Sequence, residues 1–490
     1  MNEIIPDMSL ILDELRAVSQ TYEVYVAGGP VRDWLLGRRC ADIDLVVPRD
    51  ALKTASSFAG FTGGAFVPLD AEEGVARVVF SGLVLDFSQF RHGAATICED
   101  LKERDFTINA MAVSLDKVLC LLDSVAQPSA RLDTSLIIDP TGGLYDLENG
   151  RIKAISLKNL QDDPLRVLRA YRFQAQLGFE LESDTVKWID QARDGLLSVS
   201  SERISYELRL IMTTGRAAGV FAEMAQGGLL FLLFPELKAM EGVDQPGFHH
   251  LDVLGHSLET LRAVEELIMD PCVKFTSCSA LTDWVVQNQE KVVCLKWAAL
   301  FHDVGKPVCR GKKNGRVTFY HHDETGAALI MGIGRRLKWP RRDTDFAVRL
   351  VGLHMRPFHL LGDLRRGGPS LRAMRRLVME IEADYPALFL LAMADSIAGC
   401  GPLKPPELDF ELSILWERVH EFYVGRLAQL RQKKRLLTGH DVIAHFDLRP
   451  GPLIGRALDA VEEARLEGIV GSTDEAVSFL ETWFKRNNLS

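Results

Sequence analysis

No CxxC pair occurs in this chain, and its eight cysteines (40, 98, 120, 272, 278, 294, 309 and 400) follow no regular spacing. Neither a zinc knuckle nor a disulfide framework is therefore expected, and a reducing cytoplasm suits the thiols best. No run of about 18 apolar residues exists, so no membrane span is expected. The opening stretch, MNEIIPDMSLILDELRAV, carries acids through its apolar part and lacks the basic start and small-residue cleavage site of a signal peptide. It reads as a surface helix. Internal repeats and low-complexity tracts are absent as well. Positive charge is in the minority, 57 Lys+Arg against 67 Asp+Glu for a formal net charge of −10. An acidic total does not exclude a nucleic-acid partner, because phosphate binding depends on local patches. Three basic clusters exist: Arg335, Arg336, Lys338, Arg341 and Arg342; Arg365, Arg366, Arg372, Arg375 and Arg376; Arg426, Arg431, Lys433, Lys434 and Arg435. Each is equally well read as a solvated helix face.

What is present is an ordinary globular composition, 47% hydrophobic and 25% charged over 490 residues, enough for roughly three domains at about 150 residues each. Residues 22–150 alternate short β-rich runs (YEVYVAG, IDLVV, ARVVF, LVLDF) with glycine turns, a mixed α/β pattern. From about 155 to 240 the runs DPLRVLRAYRFQAQLG, DTVKWIDQAR and ERISYELRLIMTTG show helical periodicity. Between 241 and 400 the chain is marked by histidine: eight of its twelve lie from His249 to His359, a concentration that asks for a metal. GCGPLKPPELD then reads as a linker to a helical tail. The expectation is an α+β protein divided into 1–150, 151–240, 241–400 and 401–490.

The chemistry begins in VAGGPVRDWLLGRRCADIDLVV. A strand enters Gly28-Gly29, Pro30 sits at a tolerated helix start, and Gly37 suits the helix end. Asp42 and Asp44, two apart on a strand, point to one face, as two ligands of one Mg²⁺ must. LVLDF offers Asp86 as a third carboxylate. Three carboxylates from neighbouring strands can hold two metals, one activating an attacking hydroxyl and one steadying a triphosphate and its leaving pyrophosphate. Gly28 and Gly29 admit phosphate to backbone N–H groups, with Arg32 and the helix start adding positive charge.

With RDFTINAMAV (104–113), DPTGGLYDLENGRIKAI (139–155) and DDPLRVLRAYRFQAQLGFEL (162–181), this segment resembles the class II tRNA nucleotidyltransferases, or CCA-adding enzymes, and the bacterial poly(A) polymerases. The likeness spans residues 22 to about 210 and resumes in LLTGHDVIAHFDLRPGPLIGRALDAVEEARLEG, similar to the tail of bacterial members that bear an HD domain. It implies that residues 1–150 are the nucleotidyltransferase head, 151–240 a helical neck for nucleotide and RNA, and 401–490 a helical, tRNA-binding tail. It further implies that Asp42, Asp44 and Asp86 are catalytic and that Arg104, Asp105 and Asn109 position sugar and phosphates. The family's EDxxR motif stands here as Asp162-Asp163-Pro164-Leu165-Arg166, so Asp163 and Arg166 would pair with the incoming base, beside Arg169 and, on ERISYEL, Arg203. A carboxylate only accepts and a guanidinium only donates, so the two complement the amine and ring acceptor of adenine or cytosine. Mispairing would strand buried polar groups.

HLDVLGHSLETL, WAALFHDVGKP, FYHHDETGA, LVGLHMRP and LAMADSIAG look like the HD superfamily of metal-dependent phosphohydrolases. The likeness makes 241–400 an HD-type domain with His256, His302, Asp303 and Asp395 as core ligands and His322 and His354 as extras for a second metal. Such ligands suit a divalent transition metal, and Lys306 could hold phosphate. His249, His250, His321, His359 and His440 match nothing. The other reading of these histidines is a metal-free scaffold.

Only twelve residues, HGAATICEDLKE, separate Arg91 from Arg104, whereas family members that add C carry a longer flexible segment there. The expected activity is addition of the terminal A from ATP to a tRNA ending in CC, in the cytoplasm, with the basic clusters gripping the acceptor arm and neither membrane nor DNA as partner. Full CCA addition, with CTP also used, and poly(A) synthesis remain alternatives, as do an HD-type phosphohydrolase and a non-catalytic RNA-binding protein.

Overall fold

The computed structural model describes residues 12–38, 40, 42–124, 132–427 and 434–487. Contacts divide the chain into two units, Met1–Arg216 and Ala217–Ser490, so the expected neck, 151–240, contributes helices to both.

The first unit is built on a six-stranded sheet of β1 (Tyr25–Ala27), β2 (Asp42–Val47), β3 (Ala65–Asp70), β4 (Val75–Phe80), β5 (Leu83–Gln89) and β6 (Ala112–Ser114), ordered β3-β4-β5-β2-β1-β6. β2 and β5 run parallel and the other pairs antiparallel, so the sheet is mixed. Ile43, Leu45 and Phe87 are fully buried. The helix Ala51–Thr62 covers this side, Phe58 meeting Phe87 at 5.6 Å between ring centres. Because side chains alternate along a strand, Asp86 is left on the other face. The parallel register sets Asp42 opposite Val84 and Asp44 opposite Asp86. β3 was not read from the sequence: every residue is exposed and Pro68 interrupts it. An edge position permits this, since the proline lacks only an outward donor.

After the sheet the chain is helical. Leu165–Leu177 buries Leu168, Tyr171 and Phe173, and it ends where Gly178 (φ +74) turns left-handed and its N–H reaches Gln174 O at 2.9 Å. That is the glycine stop read from the sequence. At the N-terminus, Leu12–Thr21 is helical but not merely superficial, since Leu15 and Val18 are fully buried. Residues 1–11 of that stretch lie outside the described residues.

Among the described residues the second unit is helical apart from one small hairpin, Gly311–Lys313 with Arg316–Thr318. Its tail packs Gly439–Phe446, Pro452–Leu466 and Thr473–Arg486 around Val442, Val461 and Leu480. Capping boxes at Thr438/Asp441 and Ser472/Glu475 start two of these helices. Among the described residues no helix is long and apolar enough to cross a membrane.

Two expectations are corrected here. Cys272 and Cys278 are joined in a disulfide, because the turn Pro271–Val273 folds the chain back on itself. The expected linker is a packed turn: Gly401 and Leu403 donate to Phe248 O and Gly247 O at 2.8 and 2.9 Å. A Cβ on Gly401 would lie 2.3 Å from Gly247 O, so this glycine serves close approach, not mobility.

Candidate active site and metal centre

β1 ends at Gly28, whose φ of +84° is the left-handed region that glycine adopts freely. A Cβ there would stand 2.7 Å from Arg104 Nη1 and 3.5 Å from Asp44 Oδ2, so the missing side chain lets the strand end fit between arginine and carboxylate. The helix Gly29–Leu35 then carries Arg32, which donates through Nη1 to Asn109 Oδ1 at 2.6 Å and through Nε and Nη2 to Asp33. Asn109 Nδ2 donates to Asp105 Oδ1 at 3.2 Å, and Arg169 Nε to Asp105 Oδ2 at 2.8 Å. Arg32, Asn109, Asp105 and Arg169 thus form one linked chain from the sheet to the helix Leu165–Leu177. Burial opposes ionisation of Asp105, but Arg169, Arg166 and the Phe106 N–H outweigh it and hold the carboxyl well below its usual range.

Arg104 lies 3.3 Å from Asp100, and burial pushes its guanidinium down to about 10. Fully buried Asp100 also accepts from the Arg91 N–H at 2.9 Å and its guanidinium at 3.1 Å. Arg166 Nη1 donates to Asn159 O at 3.1 Å and Arg104 O at 3.3 Å. Its other guanidinium N–H groups have no hydrogen-bond partner among the described residues. Asp163 is held by Arg203 at 3.2 Å and does not cap the following helix through its side chain.

The three head carboxylates share a face but are not drawn within 4.8 Å of one another, as the histidine clusters below are. Arg77 grips Asp86 with two bonds of 2.8 Å. Withdrawal from water pushes Asp44 up to about 6; the charges of Asp86 and Asp42 add to this, and Arg104 and Arg91 oppose it. Crowded, under-neutralised carboxylates beside a glycine cradle fit a divalent cation. Mn²⁺ affinity of the head, measured by titration calorimetry in a His302→Ala/Asp303→Ala background, is expected to be level above pH 6. Below it, a proton on Asp44 competes, and affinity falls by about tenfold per pH unit. Affinity that is flat down to pH 5 would refute Asp44 as a ligand.

In the second unit five helical segments bring the histidines together. His256, His302 and Asp395 form one buried cluster and Asp303, His322 and His354 another, each with ligand atoms within 4.8 Å. Asp303 belongs to both surroundings. Its Oδ2 lies 3.1 Å from His302 Nε2, and its Oδ1 lies 3.3 Å from His322 Nε2 and 3.8 Å from His354 Nε2. The six expected ligands thus fall into two groups of three, and Asp303, a member of the second, also touches His302 of the first. Nδ1 of His302, His322 and His354 faces the carbonyls of Ala299, Phe319 and Val351 at 2.9, 2.8 and 2.7 Å. Those bonds place the N–H on Nδ1 and turn the Nε2 lone pair inward. His302 Nε2 then meets His256 Nε2 at 3.2 Å, and His322 Nε2 meets His354 Nε2 at 3.2 Å. Between His322 and His354 two lone pairs thus face each other at a distance where they repel unless a cation lies between, and His256 Nε2 also faces Asp395 Oδ1 at 3.0 Å, so the donor set fits metal. Burial pushes His354 down to about 4, keeping it neutral and able to ligate.

Asp303, His322 and Asp395 of these clusters line a cavity of about 810 Å³. His249, unassigned in the sequence, lines it edge-on to His256 at 4.2 Å between ring centres. His321 and His359 line it too, whereas His250 and His440 are exposed. Lys306 donates to Gln245 Oε1 at 2.7 Å and pairs with Asp303 at 2.6 Å.

Sequence reading missed Asp100, Arg77, Asn159 and Gln245, none of which stands in a pattern of its own; Asp100 and Arg104, four apart, gave the one local hint. It did not show the acidic partners of the basic clusters. Arg336 is paired with Glu236, Arg341 with Asp345 and Arg342 with Glu290. In the second cluster all five arginines face carboxylates: Arg365 on Glu411, Arg366 on Asp363, Arg372 and Arg375 on Glu463, Arg376 on Glu380. In the third, Arg431, Lys433 and the side chain of Arg426 lie outside the described residues.

Residues 24–153 match the poly A polymerase head domain family, 178–241 the probable RNA and SrmB-binding site of polymerase A, and 253–395 the HD domain. The chain is 34% identical to an A-adding tRNA nucleotidyltransferase of Deinococcus radiodurans over 94% of its length and 95% of that protein's. It is 32% identical to a CC-adding tRNA nucleotidyltransferase of Thermus thermophilus over 94% of each. Among solved structures, the Thermotoga maritima CCA-adding enzyme complexed with tRNA shares the fold at 21% identity and a TM-score of 0.60, across 98% of this chain and 95% of that one. A head, an RNA-binding segment and an HD domain in that order, with a third of the residues shared with two such enzymes across nearly the whole length, place this chain in the tRNA nucleotidyltransferase family.

Proposed function

We propose that this enzyme adds the terminal A to a tRNA ending in CC. The observation that carries the reading is the segment between Arg91 and Arg104. It is short and folded, a turn at Arg91–Gly93 followed by the helix Ile97–Lys102, with Asp100 tying both arginines. A-adding members resemble this chain in lacking a long flexible segment there, and the relative from Deinococcus radiodurans is A-adding by name. Bound Mg²⁺, held by Asp42, Asp44 and Asp86, would supply charge neutralisation and activation of the tRNA 3′-hydroxyl. That hydroxyl attacks the α-phosphate of ATP in line and pyrophosphate leaves. Arg32, Asp105 and Asn109, joined in the linked chain described above, and Arg104, held by Asp100, position sugar and phosphates. Asp163 accepts from the adenine amine and Arg166 donates to a ring nitrogen, each fixed in advance by Arg203 and by the two carbonyls. The acceptor arm of tRNA is the RNA partner, and the cytoplasm, where tRNA is used, the place of action.

Three tRNA transcripts ending at the discriminator base, in C and in CC are the test, each offered ATP or CTP singly with Mg²⁺. The expected result is adenylation of the CC end alone and no use of CTP. Extension of the first two transcripts by CTP would make this a complete CCA-adding enzyme, and repeated addition of A a poly(A) polymerase.

The paired lone pairs of the histidine centre favour a second activity, phosphoester hydrolysis in the HD cavity. A divalent transition metal there would supply an activated water, and Lys306, aimed by Gln245, would hold a phosphoryl oxygen.

A further inference from the structure

The cations that flank the HD cavity are mostly spent. Lys306 is used by Asp303, Lys404 by Asp409 at 3.0 Å and Arg365 by Glu411. The hairpin Gly311–Lys313/Arg316–Thr318 differs. Arg310, Lys312, Lys313 and Arg316 are all exposed, and none makes an ion pair among the described residues. Asn314 and Gly315 turn it with φ of +51° and +77°, the two left-handed residues of a tight hairpin turn. Lys313 and Arg316 therefore flank the tip as a strand pair and are presented by a short, defined element. The second strand runs into the cavity wall, which Val317 to Glu324 line continuously. Along the way stand two aromatic rings, each with a lysine over it. Lys313 Nζ is 5.6 Å from the centre of Tyr320, which is 61% exposed, and Lys306 Nζ is 5.6 Å from that of Phe319. The carboxylates nearest on this wall, Asp323 and Glu324, lie in the first turn of His322–Arg336, where the helix dipole favours them.

Unpaired cations followed by stackable rings are what a single strand of nucleic acid requires: phosphates beside the cations and a base on an aromatic face. Duplex RNA presents phosphates but no free base faces, so it would use the hairpin without Tyr320. We propose that the hairpin 310–320 is a guide for single-stranded RNA, with the phosphate backbone along Lys312, Lys313 and Arg316, a base on Tyr320, and the strand end directed into the HD cavity. The last point rests on the reading of that cavity as a phosphoester site; the guide itself does not.

The full-length chain is to be irradiated with a 12-nucleotide single-stranded RNA carrying 4-thiouridine near its 3′ end, and the cross-linked peptides mapped. Cross-links within 309–321 are expected. By fluorescence anisotropy, Lys312→Gln/Lys313→Gln/Arg316→Gln should weaken binding of this RNA by roughly tenfold and flatten the log–log salt slope by about 2, the share of three phosphate contacts to a single strand. Tyr320→Ala should weaken it by about fivefold and Tyr320→Phe should restore it, because the ring is kept. A fully paired version of the same RNA should not respond to the tyrosine. Cross-links confined to residues 12–216, or an unchanged affinity in the triple variant, overturn the guide. Hydrolysis of bis(p-nitrophenyl) phosphate with added Mn²⁺ should be unchanged in the triple variant, since Lys312, Lys313 and Arg316 do not line the cavity. Failure of the wild-type chain to hydrolyse it would sink the phosphoester reading, and with it the strand's destination, while cross-linking still decides the guide.

Discussion

Asp42→Ala/Asp44→Ala is expected to lower ATP incorporation into a CC-ended tRNA by roughly 10⁴-fold, the effect of losing several kcal/mol of metal-borne charge stabilisation at about 1.4 kcal/mol per tenfold. The physical reason lies in the register of β2 and β5. Asp44 and Asp86 face each other across a parallel pair, and no nearby cation fully compensates Asp44, whose carboxyl is pushed up to about 6. A raised folded-state value means the folded chain holds the Asp44 proton more tightly than the unfolded one, so ionisation between pH 4 and pH 6 costs stability. Truncating Asp44 removes that cost at pH 7. The opening free energy of the sheet by native-state hydrogen exchange should therefore equal or exceed that of the parent while activity disappears. Loss of both together would mean a folding defect and no catalytic role. His302→Ala/Asp303→Ala should leave adenylation kinetics within about twofold, since additive behaviour is the rule for separate sites; abolition of adenylation by that variant would make the HD centre the seat of the activity.

The second large effect is expected at Asp105. Its carboxylate takes a bond from Arg169, one from the Phe106 N–H and one from Asn109. Asp105→Ala leaves a partly exposed guanidinium and two buried donors without their acceptor, a loss of about 2–4 kcal/mol. In a chain of two units a single melting midpoint mixes both transitions. The suitable measure is native-state hydrogen exchange over 103–111 and 165–177, where the opening free energy should fall by that amount. The pH dependence has a definite sign. Asp105 is held well below the usual carboxylate range, so its contribution is complete above about pH 4 and is lost as pH falls towards the folded-state value. The difference between parent and variant should therefore shrink on acidification below pH 4. Unaltered exchange at pH 7 would show that Arg169 finds another partner and that the linked chain is not what joins the sheet to the helix.

The elements that local periodicity describes were legible. The apolar runs of β2 and β5, the glycine stop at Gly178 and the amphipathic Leu165–Leu177 all follow from spacing within one element. So did the candidate residues, because Asp42 and Asp44 on one strand and His302 beside Asp303 are short-range patterns. β3 was not, since an exposed edge strand with a proline buries nothing and so shows no alternation. The basic clusters were legible only in part for a related reason: a run of arginines shows its charge in the sequence but not the carboxylates that meet it, such as Glu463, which faces Arg372 and, 88 residues away, Arg375. The packed turn at Gly401 resembled a linker because glycine and proline mark tight packing and looseness alike.

Sequence alone determined which side chains were available and on which face of their own strand or helix they stood, since both follow from the fixed periods of the backbone. Tertiary structure decided which of them met. The parallel register set Asp86 against Asp44, the buried Asp100 gathered Arg91 and Arg104, and helix packing brought His256 to Asp395 across 139 residues with Asp303 between two histidine groups. Exposed charges more than about 10 Å apart are largely screened, and hydrogen bonds need contact, so a pairing between residues distant in the chain exists only once packing has closed the distance.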